Sequence, residues 1–182
     1  MTDDDRDRWN ARWGEAPPVR GPVVPPLAFA DHLDVLPTSG RCLELACGRG
    51  ETAVWLALRD VTVRAVDVSD EAIAVAEELA ESQGVAANCE FVVWDLDTGL
   101  PFGEPVDLVM CHMFRDARLY AAIIKRLAPG GVLAIAVRSE VGGQPGPYSA
   151  APNELVEAFA SLDHIAAEEG DGMALLLARR VG

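Results

Sequence analysis

Two glycines and three carboxylates are spaced so that together they can grip a nucleoside. Between Glu44 and Ala53 the chain reads E-L-A-C-G-R-G-E-T-A, with glycines at 48 and 50. Lacking a Cβ, they let a turn curl tightly and bring the backbone close to a ligand. The pattern G-x-G-x-x-A also satisfies the dinucleotide-binding fingerprint. Asp67 follows Gly48 by 19 positions and ends a predicted strand, where a carboxylate can take both hydroxyls of a ribose. Asp95 ends the next strand and can receive an exocyclic amine of an adenine. Glu44 lies inside a strand, where a buried carboxylate is costly unless backbone N–H groups or a ligand ammonium pair with it.

Other reactive side chains are few. His112 falls at the carboxyl end of a strand, where open α/β sheets place their sites. Arg115 and Arg118 flank the next helix start and read as solvated cations that could also grip an anionic substrate, and Arg138 at a later strand end invites the same suggestion. Tyr148 is the aromatic residue of the Gly/Pro-rich segment 139–152, which is long enough for a connection to suggest a lid. Trp9 and Trp13 are four apart, on one face of a short charged segment, Asp7–Trp13. With help from Phe29 they can close over a bound ligand. The four cysteines (42, 47, 89 and 111) have no C-x-x-C spacing and no histidine at zinc-finger distance, so they read as small buried hydrophobes.

The elements that must position these groups alternate. Strands are expected at Arg41–Ala46, Val61–Val66, Cys89–Trp94, Val106–Cys111 and Val132–Val137. Helices are expected over Glu51–Arg59, from an N-cap at Ser69 to Gly84, around Leu119–Leu127, and over Asn153–Ala160. Pro129-Gly130-Gly131 should end the third of these. Two final strands, near Leu162–Glu168 and Met173–Arg179, are joined through Gly170-Asp171-Gly172, a hairpin signal that makes the last strand antiparallel. Ahead of them, Pro17–Pro26 reads as an extended connector and Leu27–Leu36 as a short helix ended by Pro37. The expected fold is α/β: a doubly wound, Rossmann-like, mostly parallel seven-stranded sheet with an antiparallel C-terminal hairpin and helices on both faces. Residues 1–40 form a helical cap and connector, and 41–182 the ligand-binding domain, a single structural domain overall.

Charge narrows the partners. Of 182 residues, 15 are Lys or Arg and 29 Asp or Glu, a net charge of −14. Residues 1–30 hold four Arg and five acids and so contribute only −1; the acidity belongs to the body of the protein. Such a surface repels phosphate backbones, so nucleic acid is not an expected partner. No apolar run approaches the roughly 18 residues of a membrane span, and no secretory signal opens the chain. A soluble cytoplasmic protein is expected.

In order along the chain, ELACGRG, AVDVS, VVWDLDTGLPF, VDLVMCH and LAPGGVLAIAV resemble the class I S-adenosylmethionine-dependent methyltransferases, closely over 41–138. The opening Trp9-Asn10-Ala11-Arg12-Trp13 is similar to that of the tellurite-resistance and thiopurine-type branch. The resemblance implies S-adenosylmethionine as cofactor and S-adenosylhomocysteine as product. It implies a cofactor site of Glu44, Ala46, Cys47, Gly48, Gly50, Asp67, Val68, Asp95, Leu96 and Cys111, closed by Trp9 and Trp13. Within it the glycine turn would hold the methionine part, Asp67 the ribose, and Asp95 with Leu96 the adenine. Cys111 to Phe114 would face the methyl group and the acceptor. No catalytic residue is assigned; His112, Arg115, Arg138 and Tyr148 are candidates. No N-P-P-[YF] follows the fourth strand and no metal-ligand cluster appears, so a small-molecule acceptor without a metal is expected. A non-catalytic cofactor- or partner-binding relative is the alternative. A nicotinamide-dependent oxidoreductase is a weaker one, opposed by Glu44, Asp95 and the antiparallel hairpin.

Overall fold

Apolar side chains along the middle strands alternate between two clusters, and this two-sided burial sets the architecture. A computed structural model describes residues 3–16, 19, 21–146 and 148–182. Its strands are β1 (Gly40–Leu45), β2 (Val61–Asp67), β3 (Cys89–Val93), β4 (Val106–His112), β5 (Leu127–Ser139), β6 (Ser149–Ala150), β7 (Asp163–Gly170) and β8 (Met173–Arg179). They form one eight-stranded sheet in the order β3-β2-β1-β4-β5-β8-β7, with β6 paired to the end of β5. Only β8 runs antiparallel to its neighbours. Leu108, Met110, Ala134 and Ala136 enter one core cluster, and Val109, Cys111, Ile135 and Val137 the other. A strand packed on both faces has no polar side, which is why β5 reads as a continuous apolar run.

The helices are α1 (Asp3–Gly14), α2 (Glu51–Ala57), α3 (Asp70–Ser82), α4 (Tyr120–Arg126) and α5 (Glu154–Ala158). The first core is closed by α2 through Ala53, Trp55 and Leu56, and the second by α4 and α5 through Ile123, Leu155 and Phe159. The Ser69 hydroxyl caps α3, accepting from Ala72 N at 3.0 Å. Asp70 and Glu71 in the first turn favour the same end through the helix dipole.

Several boundaries differ from expectation. Leu27–Leu36 is not an α-helix but a 3-10 turn, Leu27–His32, squeezed between Pro26 and Pro37 and anchored by the fully buried Phe29. Pro129-Gly130-Gly131 does not end α4. β5 already begins at Leu127, and the three residues lie in a register irregularity opposite Val106 and Leu108. The segment 139–152 is more ordered than a bare loop: β6 pairs with Arg138 and Ser139, and Gly172 N donates to Val141 O at 2.9 Å. A Cβ on Gly143 would stand 2.3 Å from Ser139 O, so glycine is what lets this segment fold back on itself. Of the connector Pro17–Pro26, positions 17, 18 and 20 lie outside the described residues.

Candidate cofactor and active site

At the carboxyl edge of the sheet, the turn from β1 into α2 passes through three consecutive left-handed alternations: Ala46 at φ 53°, Gly48 at 53° and Gly50 at 73°. At Gly50 a Cβ would stand 2.6 Å from Ala76 Cβ and 2.9 Å from the Phe91 ring. Helix α2 can therefore pack against α3 and β3 only with glycine there. The turn is tied to β2 at two points. Cys47 N donates to Val66 O at 3.0 Å, and Gly48 N donates to Asp67 Oδ2 at 2.8 Å. The other Asp67 oxygen accepts from Ser69 N at 3.0 Å. Burial pushes the Asp67 carboxyl up, while N–H groups of Ser69, Gly48 and Val68 draw it back. Backbone N–H groups thus fix the carboxylate, and the two oxygens together keep lone pairs for a ligand.

Glu44 is 3% exposed. The Thr52 hydroxyl and the Ala53 N–H serve its carboxyl, but burial, with the Asp67 charge adding, pushes its pKa up to about 8. Its Oε2 is buried and has no hydrogen-bond partner. Such an oxygen is a site waiting for a donor.

Over this turn lies α1. The rings of Trp9 and Trp13 stack at 6.0 Å, and Trp13 is 3.3 Å from where a Gly48 Cβ would be. The guanidinium of Arg49 sits 5.6 Å from the Trp13 ring centre, and that of Arg12 5.3 Å. Asn10 fastens the helix: its side-chain amide donates to Asp70 Oδ1 at 2.6 Å and accepts from Ser69 Oγ at 2.7 Å. Trp13 touches the turn, and Trp9 stacks behind it. Asn10 and Thr52 carry no motif signal of their own; only the folded contacts connect them to the turn.

Asp95 sits at the exit of β3, where it accepts from Asp97 N at 2.9 Å and opens a 3-10 turn containing the buried Leu96. At the end of β4, Cys111 is buried and its thiol is pushed up to about 12, chiefly by burial; it donates to Phe114 O at 3.1 Å. It is a packing residue and not a nucleophile. The ring of His112 meets the edge of Phe29 at 6.2 Å, and burial lowers its pKa. Among the described residues its ring nitrogens have no hydrogen-bond partner.

Arg115 is not a solvated cation. It forms a two-pronged pair with Glu154 at 2.7 and 2.6 Å, and Tyr120 OH and Ala151 N donate to the same carboxylate. Arg118 is exposed but paired with Asp97 and Asp116, each at 2.7 Å. Arg138 and Tyr148 are exposed.

Residues 42–131 match a protein-family model described as a methyltransferase domain. An uncharacterized protein of Synechococcus sp. is 32% identical over 126 residues, 64% of this chain and 30% of that protein. The tRNA 5-carboxymethoxyuridine methyltransferase of Escherichia coli is 32% identical over 105 residues, 54% of this chain and 40% of that protein. The chain therefore spans well under half the length of these curated relatives. Among solved structures, TehB from Haemophilus influenzae shares the fold with a TM-score of 0.73 at 19% identity, over 96% of this chain and 66% of that one. By this match residues 42–131 form a methyltransferase domain, and the sheet order is the fold of the class I S-adenosylmethionine-dependent methyltransferases that the glycine turn and strand-end carboxylates resemble.

Proposed function

We propose that the chain binds S-adenosylmethionine at the glycine turn and transfers its methyl group to a small-molecule acceptor beyond the end of β4. The observation that carries this reading is the orphaned Oε2 of Glu44. A buried carboxylate oxygen without a donor suits the ammonium of an amino-acid moiety held by the turn. The fixed Asp67 carboxylate suits the vicinal hydroxyls of a ribose, and Asp95 with Leu96 is placed for the adenine. Ala46, Cys47, Gly48, Gly50 and Val68 supply the backbone around the ligand, and Trp13, backed by Trp9, covers it.

When bound, S-adenosylmethionine supplies a methyl carbon made electrophilic by its sulfonium. The protein's part is to hold an acceptor lone pair in line with that carbon and to keep water out. Phe29 and Trp13 exclude solvent from the two flanks. His112, neutral because it is partly buried and free of internal hydrogen bonds, takes the proton that an alcohol, thiol or ammonium acceptor must lose. Cys111 frames the methyl side without reacting. A charge of −14 favours a small molecule over nucleic acid. The tRNA activity belongs to the Escherichia coli relative by its name; the guanidinium groups that gather here, those of Arg8, Arg12 and Arg49, lie on the rings of Trp9 and Trp13.

The test is thermal unfolding with S-adenosylhomocysteine, S-adenosylmethionine and NADPH in parallel. At about 100 times the dissociation constant a ligand adds roughly 2.7 kcal/mol, a rise of roughly 5–10 °C for a domain of this size. The expected result is a rise with both sulfur ligands that disappears in Asp67→Ala. A rise with NADPH alone would overturn the reading in favour of an oxidoreductase.

A further inference from the structure

The acceptor site contains one cation that the protein leaves uncommitted. The other arginines at the carboxyl edge of the sheet are occupied. Arg49 lies over Trp13 and 3.6 Å from Glu51, Arg115 is held by Glu154, and Arg118 by Asp97 and Asp116. Arg138 is exposed and, among the described residues, has no hydrogen bond, ion pair or ring contact. Each of the other described arginines has at least one hydrogen bond, ion pair or ring contact, several of them only to backbone carbonyls or aromatic rings.

Its place in the sheet gives it a use. His112 pairs with Ala136 across β4 and β5. Side chains along a strand repeat their face every second residue, so Arg138 lies on the His112 face, about 7 Å further toward the open edge. Ala134 and Ala136 share the core cluster that contains Phe29, whereas Val137 lies in the opposite one, which fixes that face independently. The backbone under Arg138 is held on both sides, by Met173 of β8 and Ser149 of β6.

We infer that Arg138 selects the acceptor by an anionic group, a carboxylate above all. The reactive atom of the acceptor lies near His112. This rests on the methyltransferase reading and names the substrate class of that same site. Guanidinium and carboxylate match in planar, two-pronged geometry.

The experiment uses the full chain with S-adenosylmethionine and acceptor pairs in which a neutral polar group replaces the carboxylate: 4-hydroxybenzoate against 4-hydroxybenzamide, and 3-mercaptopropionate against 3-mercaptopropanol. S-adenosylhomocysteine release and product mass are followed. The acid of at least one pair should be methylated with a kcat/KM about tenfold or more above its neutral partner. Arg138→Gln should erase that preference, Arg138→Lys keep part of it, and S-adenosylhomocysteine affinity stay as in the wild type in both. A neutral partner used equally or better overturns the inference. So does an acid preference that survives Arg138→Gln, or failure to methylate any of the acids while S-adenosylhomocysteine still binds. Failure to bind S-adenosylhomocysteine at all strikes instead at the methyltransferase reading.

Discussion

Glu44 is where the ionisation of one side chain should report on the cofactor. Its pKa is raised from 4.5 to about 8, first by burial. Between those values the ligand-free folded chain keeps a proton that the unfolded chain has released, so this group makes stability fall as pH rises through that window. A ligand ammonium against Oε2 favours the carboxylate and expels the proton. Calorimetric titration with S-adenosylhomocysteine at pH 7 should therefore give different apparent enthalpies in phosphate and in Tris, and Glu44→Gln should bring the two together. Identical wild-type enthalpies would mean that no proton leaves and that the ammonium does not reach Glu44. Ala46 carries a separate expectation. It stands at φ 53°, a conformation in which a Cβ crowds the backbone. Ala46→Gly should stabilise the chain by about 1 kcal/mol, read as a rise in Tm. Gly50→Ala should lower Tm by more, because the new Cβ meets Ala76 at 2.6 Å.

Among the elements, those with a local cause are legible in the residues. β5 shows itself by an unbroken apolar run, α3 by Ser69 and Gly84, and the β7–β8 hairpin by Gly170-Asp171-Gly172. The glycine turn and Asp67 are legible for the same reason, since strand, turn and helix follow each other directly. Features that depend on partners far along the chain are not. Arg115 reads as solvated because Glu154 is 39 positions away. The fastening of α1 by Asn10 spans 60 positions to Asp70. That fastening can be tested as an element. Asn10→Ala removes both side-chain bonds to the start of α3, at about 1 kcal/mol each. It should raise proteolytic cleavage within 3–16 and weaken S-adenosylhomocysteine binding several-fold, while the unfolding midpoint of the sheet moves little. Unchanged affinity would show that α1 does not help to close the site. Arg115→Ala acts on a different pair of elements. It leaves the Glu154 carboxylate, 16% exposed, without its main partner. A loss of about 1–3 kcal/mol is expected, with faster amide exchange in α5.

At the scale of the whole molecule, charge decides which acceptors can approach. The surplus of 14 acids is spread over the body, and among the described residues the guanidinium groups of Arg8, Arg12 and Arg49 gather on the rings of Trp9 and Trp13, so few cations are left to release counterions from a nucleic acid. The one uncommitted arginine at the site can hold a single small anion, but it cannot track a backbone. Bulk tRNA should therefore show no retention by the protein in filter binding at 100 mM KCl. Lowering the salt should bring at most weak binding, with a log–log slope shallower than about −1, the value for roughly one phosphate contact. A slope of about −3 or steeper would mean a phosphate-tracking surface, and the small-molecule reading would give way to an RNA acceptor. The same distribution predicts that moderate salt stabilises the ligand-free chain, because screening relieves self-repulsion among its carboxylates. Salt should therefore separate the two interactions: it strengthens the fold while leaving the proposed contact of the buried Glu44 with the cofactor nearly untouched, and it weakens any phosphate-bound complex steeply.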